Sequence, residues 1–145
     1  MNINQPNTKS DYQTLTNTIY QNTDYDFVAV ALQEATTPHL TRWVYASGNQ
    51  DESFRRIVLR KGIGIAGLVM QTNKPFWHNN ILELDYSDRL YTPIARVEKL
   101  LEVAAIPITD PFLKIAIGVL LVGYRSHEHQ VSEKDVSKLS QFLND

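Results

Sequence analysis

Apolar positions along the chain recur with two periods, and the places where the period changes predict the elements. Tyr12, Leu15 and Ile19 stand at helical spacing behind Ser10 and Gln13, a capping box, so a first helix is predicted over 10–21, closed by Asp24-Tyr25-Asp26. Residues 27–33 and 41–47 are β-rich runs that read as strands, with Thr36-Thr37-Pro38-His39 as the turn between them. On a regular second strand Trp43 and Tyr45 share one face, and Val44 and Ala46 the other. Residues 47–51 read as a loop and 57–60 as a short extended piece.

The segment Lys61-Gly62-Ile63-Gly64-Ile65-Ala66-Gly67-Leu68-Val69-Met70-Gln71 starts glycine-rich and continues as a short helix, stopped by Asn73-Lys74-Pro75. Phe76-Trp77-His78 reads as a strand and 79–88 as a polar stretch. Thr92 and Pro93 then open another helix, a cap followed by proline at the first helical position, with Ile94, Val97, Leu100 and Leu101 as its buried stripe. Residues 103–108 and 114–124 are two strong strands, expected to pair antiparallel in the sheet centre. In the last helix Ser132 is the cap, Asp135 holds the third helical position, and Val131 staples onto Val136. Val136, Leu139, Phe142 and Leu143 form its apolar face. The succession of helix, strands, two short helices, strands and helix suits an α+β fold, a central antiparallel sheet with helices on both faces.

Composition narrows the class. The 145 residues fit one domain, read as 1–24 for an N-terminal helix and tail and 25–145 for the core. With 14 basic and 16 acidic residues, net charge −2, the chain has no electrostatic footprint for nucleic acid or an anionic membrane. The absence of cysteine excludes disulfides, thiolate catalysis and Cys-ligated metal. Neither a signal peptide nor an apolar run of the ~20 residues a membrane span needs is found, so the chain reads as cytoplasmic.

The chemistry concentrates at two helix starts. Three of the six glycines fall within 62–67, where backbone can approach a ligand closely and lead into a helix whose first N–H groups lack intrahelical partners. Such donors, with the helix dipole, suit negative charge. The helix at Pro93 offers the N–H groups of Ile94 and Ala95 as a second set, proline itself having none. If both starts face one pocket, its walls are Ile65, Leu68, Ile94 and Tyr91, with Trp43 closing the side and its indole N–H a further donor. A small, weakly hydrated monovalent anion fits such a lining; phosphate more often calls for Arg or Lys, which stand nearby (Arg60, Lys61, Arg96) but not within the two starts. Each feature also has a plainer reading: glycines for packing, Trp43 and Tyr45 as core, Thr92-Pro93 as a good helix start.

The sequence resembles the GAF family through Gly62-Ile63-Gly64-Ile65-Ala66-Gly67, Asn73-Lys74-Pro75, Ile106-Pro107-Ile108 and Ile117-Gly118-Val119-Leu120, over most of the chain from Asp26 onward. The resemblance implies terminal helices on one face of the sheet and a ligand pocket under short helices on the other. It extends to stand-alone members that act as nitrate receptors. This implies nitrate or a similar small anion as ligand, an oxygen-sensing histidine kinase of a two-component system as partner, a homodimer through the terminal helices, and no cofactor or catalytic residue. The ligand-binding set so implied is Trp43, Ile65, Ala66, Gly67, Leu68, Tyr91, Pro93, Ile94 and Ala95. Three rival readings stand against this one. A free methionine sulfoxide reductase needs cysteines that are absent. A cyclic-nucleotide GAF domain needs an ordered set that Asn73-Lys74 and Phe76 do not supply, and haem through a histidine lacks a supporting motif. An interaction module with a filled pocket would share every fold feature above. His127-Glu128-His129 is a weak metal signal in a polar loop.

Overall fold

The structure is a computed structural model and describes residues 9–84 and 92–144. Its centre is a six-stranded antiparallel sheet in the order β3-β2-β1-β6-β5-β4, formed by β1 (Phe27–Gln33), β2 (Thr41–Ser47), β3 (Val58–Leu59), β4 (Phe76–Asn79), β5 (Glu102–Thr109) and β6 (Ala116–Tyr124). β1 and β6 are central and apolar on both faces, as strands covered on both sides must be. The predicted 114–124 strand starts two residues late. Lys114 adopts φ 60° and its N–H donates to the Asp110 carbonyl (2.9 Å), which commits that residue to the turn before Ala116.

One face carries α1 (Lys9–Asn22) and α4 (Glu133–Asn144). Val28, Val30, Leu120 and Val122 from the sheet pack there against Tyr12, Ile19 and Leu139. The opposite face carries α2 (Gly64–Thr72), α3 (Pro93–Glu98) and 3-10 turns at Ser53–Arg56 and Ile81–Leu84. Phe27, Ala29, Ala31, Val103, Ala105, Val119 and Leu121 meet them. Ile81, inside the predicted polar stretch, is fully buried in this second layer.

Two local expectations are corrected. α1 begins at Lys9, so Ser10 lies within the helix instead of capping it, and the Gln13 amide reaches across to the Ala46 carbonyl (3.0 Å). Trp43 and Tyr45 do not share a face. Val30 pairs with Tyr45 and Ala31 with Trp43, so Val44 is an extra residue, a β-bulge. Beyond it the alternation shifts: Trp43 and Ala46 join the α2/α3 layer, while Val44 and Tyr45 join the α1/α4 layer.

At α4 the predicted cap forms. The Lys134 N–H donates to Ser132 Oγ (3.2 Å), and the Ser132 N–H donates back to Asp135 Oδ2 (2.8 Å). Val131 and Val136 both pack in the α1/α4 layer.

Candidate functional site

The glycines at the start of α2 have distinct local reasons. Gly62 and Gly64 adopt φ 79° and 72°, in the left-handed region that other residues rarely enter. A Cβ on Gly67 would lie 2.8 Å from the Gly62 carbonyl carbon, so the helix start folds tightly against its own approach loop. The first intrahelical bond runs from the Gly67 N–H to the Ile63 carbonyl (3.1 Å), and Ile63 provides no side-chain cap. The N–H groups of Gly64, Ile65 and Ala66 thus have no acceptor within the helix. α3 repeats the arrangement: its first bond joins the Arg96 N–H to the Thr92 carbonyl (3.1 Å), ahead of which stand the N–H groups of Ile94 and Ala95.

Ile65, Ala66, Ile94, Ala95 and Trp43 belong to one buried cluster, with Phe54 and Ile81 beside them. Trp43 is 1 % exposed, and its Nε1 has no hydrogen-bond partner among the described residues. A buried, unpartnered N–H costs free energy unless something accepts its proton. Gly67 is buried against Gly62, Pro93 is half-buried at the first position of α3, and Leu68 is half-buried outside the cluster. Tyr91, the remaining predicted wall, lies outside the described residues. The α2/α3 layer thus holds both helix starts, the Trp43 indole and apolar side chains within one buried cluster.

Sequence reasoning missed the charged partner of this layer. Glu98, the last residue of α3, is 0 % exposed and pairs with Arg125 at the end of β6 (2.5 Å). A signal was present: Glu98 stands four residues after Ile94, on the face assigned to the apolar stripe. The histidines of the His-x-His loop engage the protein itself. His127 Nδ1 meets the buried carboxylate of Glu102, and His129 stacks on Tyr124 at 4.7 Å between ring centroids.

Comparison with solved structures decides the family. A Staphylococcus aureus NreA protein, mutated in its nitrate binding site, is 34 % identical to this chain, matching 85 % of this chain and 89 % of its own with a TM-score of 0.75. The chain belongs to the NreA family. Like a GAF domain from an Acinetobacter phosphoenolpyruvate-protein phosphotransferase (19 % identity, covering 92 % of this chain and 76 % of that one, TM-score 0.75), this NreA relative has the GAF fold. The same fold is shared by a free methionine-R-sulfoxide reductase from Neisseria meningitidis, at 14 % identity over 92 % of this chain and 74 % of that one, TM-score 0.70. No protein-family model and no curated protein matches the sequence. No helix among the described residues is long and apolar enough to cross a membrane.

Proposed function

We propose that this chain senses a small monovalent anion, nitrate foremost, and that the bound state changes its action on a partner histidine kinase. The observation that carries the ligand is the buried Trp43 Nε1 with no acceptor among the described residues, in the same cluster as the starts of α2 and α3, neither of which has a side-chain cap. The choice of nitrate draws on the S. aureus NreA protein, whose nitrate binding site is named. The anion would sit at the backbone donors of Ile65, Ala66, Ile94 and Ala95 with the Trp43 indole at its side. Gly67 and Pro93 shape the two starts, and Leu68 and Tyr91 complete the walls. Reductase chemistry of the kind that needs a reactive thiol is closed to a chain without cysteine.

Signalling requires different anion affinity in the kinase-bound and free states, with a typical coupling of about 1–3 kcal/mol. Autophosphorylation of the kinase with and without this protein, at zero and saturating nitrate, reads that coupling; identical rates in all four conditions remove the kinase from the proposal. Ligand binding is tested separately by calorimetry and thermal shift. Nitrate at 100 times its dissociation constant adds about 2.7 kcal/mol of stability. Trp43→Ala and Leu68→Ala weaken binding while the fold persists. No response to nitrate, nitrite or related anions would instead identify an interaction module with a filled interior. A homodimer through α1 and α4 is part of the same proposal, and light scattering of the purified protein checks it.

A further inference from the structure

Arg125 uses its side chain to tie three other segments together. Its Nε donates to the Glu98 carbonyl (2.8 Å), Nη2 to Glu98 Oε1 (2.5 Å) and the Gly48 carbonyl (3.0 Å), and Nη1 to the Asp26 carbonyl (3.1 Å). Its backbone N–H donates to Asp26 Oδ2 (2.7 Å). The forked guanidinium meets all of these acceptors at once, which a lysine ammonium cannot. Glu98 Oε1 also accepts from the Gln50 N–H (3.1 Å), while buried Oε2 has no partner among the described residues.

The place of this carboxylate matters. Glu98 and Ile94 share a face of α3 one turn apart, and helical side chains lean toward the N-terminal end. The Glu98 carboxylate is thus carried toward the turn that holds Ile94 and Ala95, the donors assigned above to the anion. Unpaired, it would repel that anion across a water-poor layer. The other two buried acids lie elsewhere: Glu102 is in register with Tyr124, and Asp135 is bonded to Tyr25 on the α4 side.

We propose that Arg125 is a positioning residue of the anion site, holding the end of α3 and cancelling the Glu98 charge that a bound anion would otherwise meet. This rests on the anion reading above, and the experiment separates the two. Nitrate is titrated calorimetrically into wild type, Arg125→Gln, and the double variant Glu98→Gln/Arg125→Gln, with the unliganded melting temperature of each recorded. Arg125→Gln leaves the carboxylate uncompensated and weakens nitrate by about tenfold or more. In the double variant both charges are gone, so affinity returns to within about threefold of wild type. Recovery of affinity on removing a second charge is a result that a merely structural role does not produce. Where Arg125→Gln does not fold, the double variant carries the test alone: binding within threefold supports the proposal, and weaker binding overturns it. Arg125→Gln matching wild type, or a double variant as weak as the single, also overturns it. Wild type that takes up no nitrate overturns the anion reading itself, and this inference with it.

Discussion

The two faces of the sheet treat their polar groups in opposite ways. On the α1/α4 face, Tyr25 donates to Asp135 (2.5 Å), Asp135 closes the box with Ser132, and Ser47 Oγ donates to Thr16 Oγ1 (2.9 Å). On the α2/α3 face both helices start without a side-chain cap, and Trp43 Nε1 and Glu98 Oε2 are buried without partners among the described residues. His78 Nε2 joins them: His78 is in register with Val103, whose side chain belongs to that layer. Glu102 Oε1 is the exception on the first face, and the other oxygen of that carboxylate meets His127. Each buried donor or acceptor left without a partner costs about 1–3 kcal/mol. On the function proposed above, the contrast separates a scaffold face from a face where a ligand would complete the bonding.

This division can be broken by substitution. The largest effect belongs to the scaffold: Leu139→Ala empties a fully buried position beneath α4 and costs about 2–5 kcal/mol in denaturant unfolding, with nitrate affinity of the folded protein unchanged. A parallel loss of affinity would show that the faces are not independent. Next, Tyr25→Phe removes the bond to Asp135 and costs about 2 kcal/mol.

The same cluster sets the alkaline limit. Burial first, then the Asp135 bond, raises the Tyr25 pKa, and burial with Asp135, Asp24 and Asp26 pushes Tyr124 up to about 12. Both phenols are held neutral in the fold and ionise near 10 once unfolded. Their contribution is therefore complete below pH ~10 and is lost as pH climbs toward the folded values. Melting temperatures should fall between pH 10 and 12, and Tyr124→Phe should flatten that fall.

On the other face, Trp43→Phe keeps a ring and deletes the orphan donor. Nitrate binding should weaken about tenfold, or about 1.4 kcal/mol by calorimetry. Lower stability with unaltered binding would mean the indole N–H serves the scaffold. The smallest effect is Ser132→Ala, about 1 kcal/mol from the lost cap, read as a modest drop in melting temperature.

Much of the scaffold was legible because its signals are local. The runs at 27–33 and 41–47 became strands with those bounds, Ser132 and Asp135 formed their box, and Thr92-Pro93 opened α3. Asn73 ended α2 at φ 55°, as the stop signal required. What failed to show depends on distant partners. Strict alternation put Trp43 beside Tyr45, since nothing in a single strand announces a bulge that only its register with β1 creates. Ser10 had the chemistry of a cap, but the helix began one residue earlier. Arg125 and Glu98 are 27 residues apart, and only the fold reveals that the two charges meet. The candidate site was named from residue types alone, while the lack of a Trp43 N–H partner among the described residues depends on the fold.

The bulge at Val44 also turns β2 into a two-sided optical reporter. Trp43 is sealed on the ligand side, whereas Trp77, the other indole of the chain, is 41 % exposed. Blue-edge emission that resists aqueous quenchers should therefore report occupancy of the α2/α3 layer alone. Tyr45, two positions along the same strand, stacks on Tyr12 at 6.0 Å between ring centroids and answers to motion of α1. Neighbouring chromophores on one strand can thus be followed separately, one for arrival of the ligand and one for its consequence at the helices.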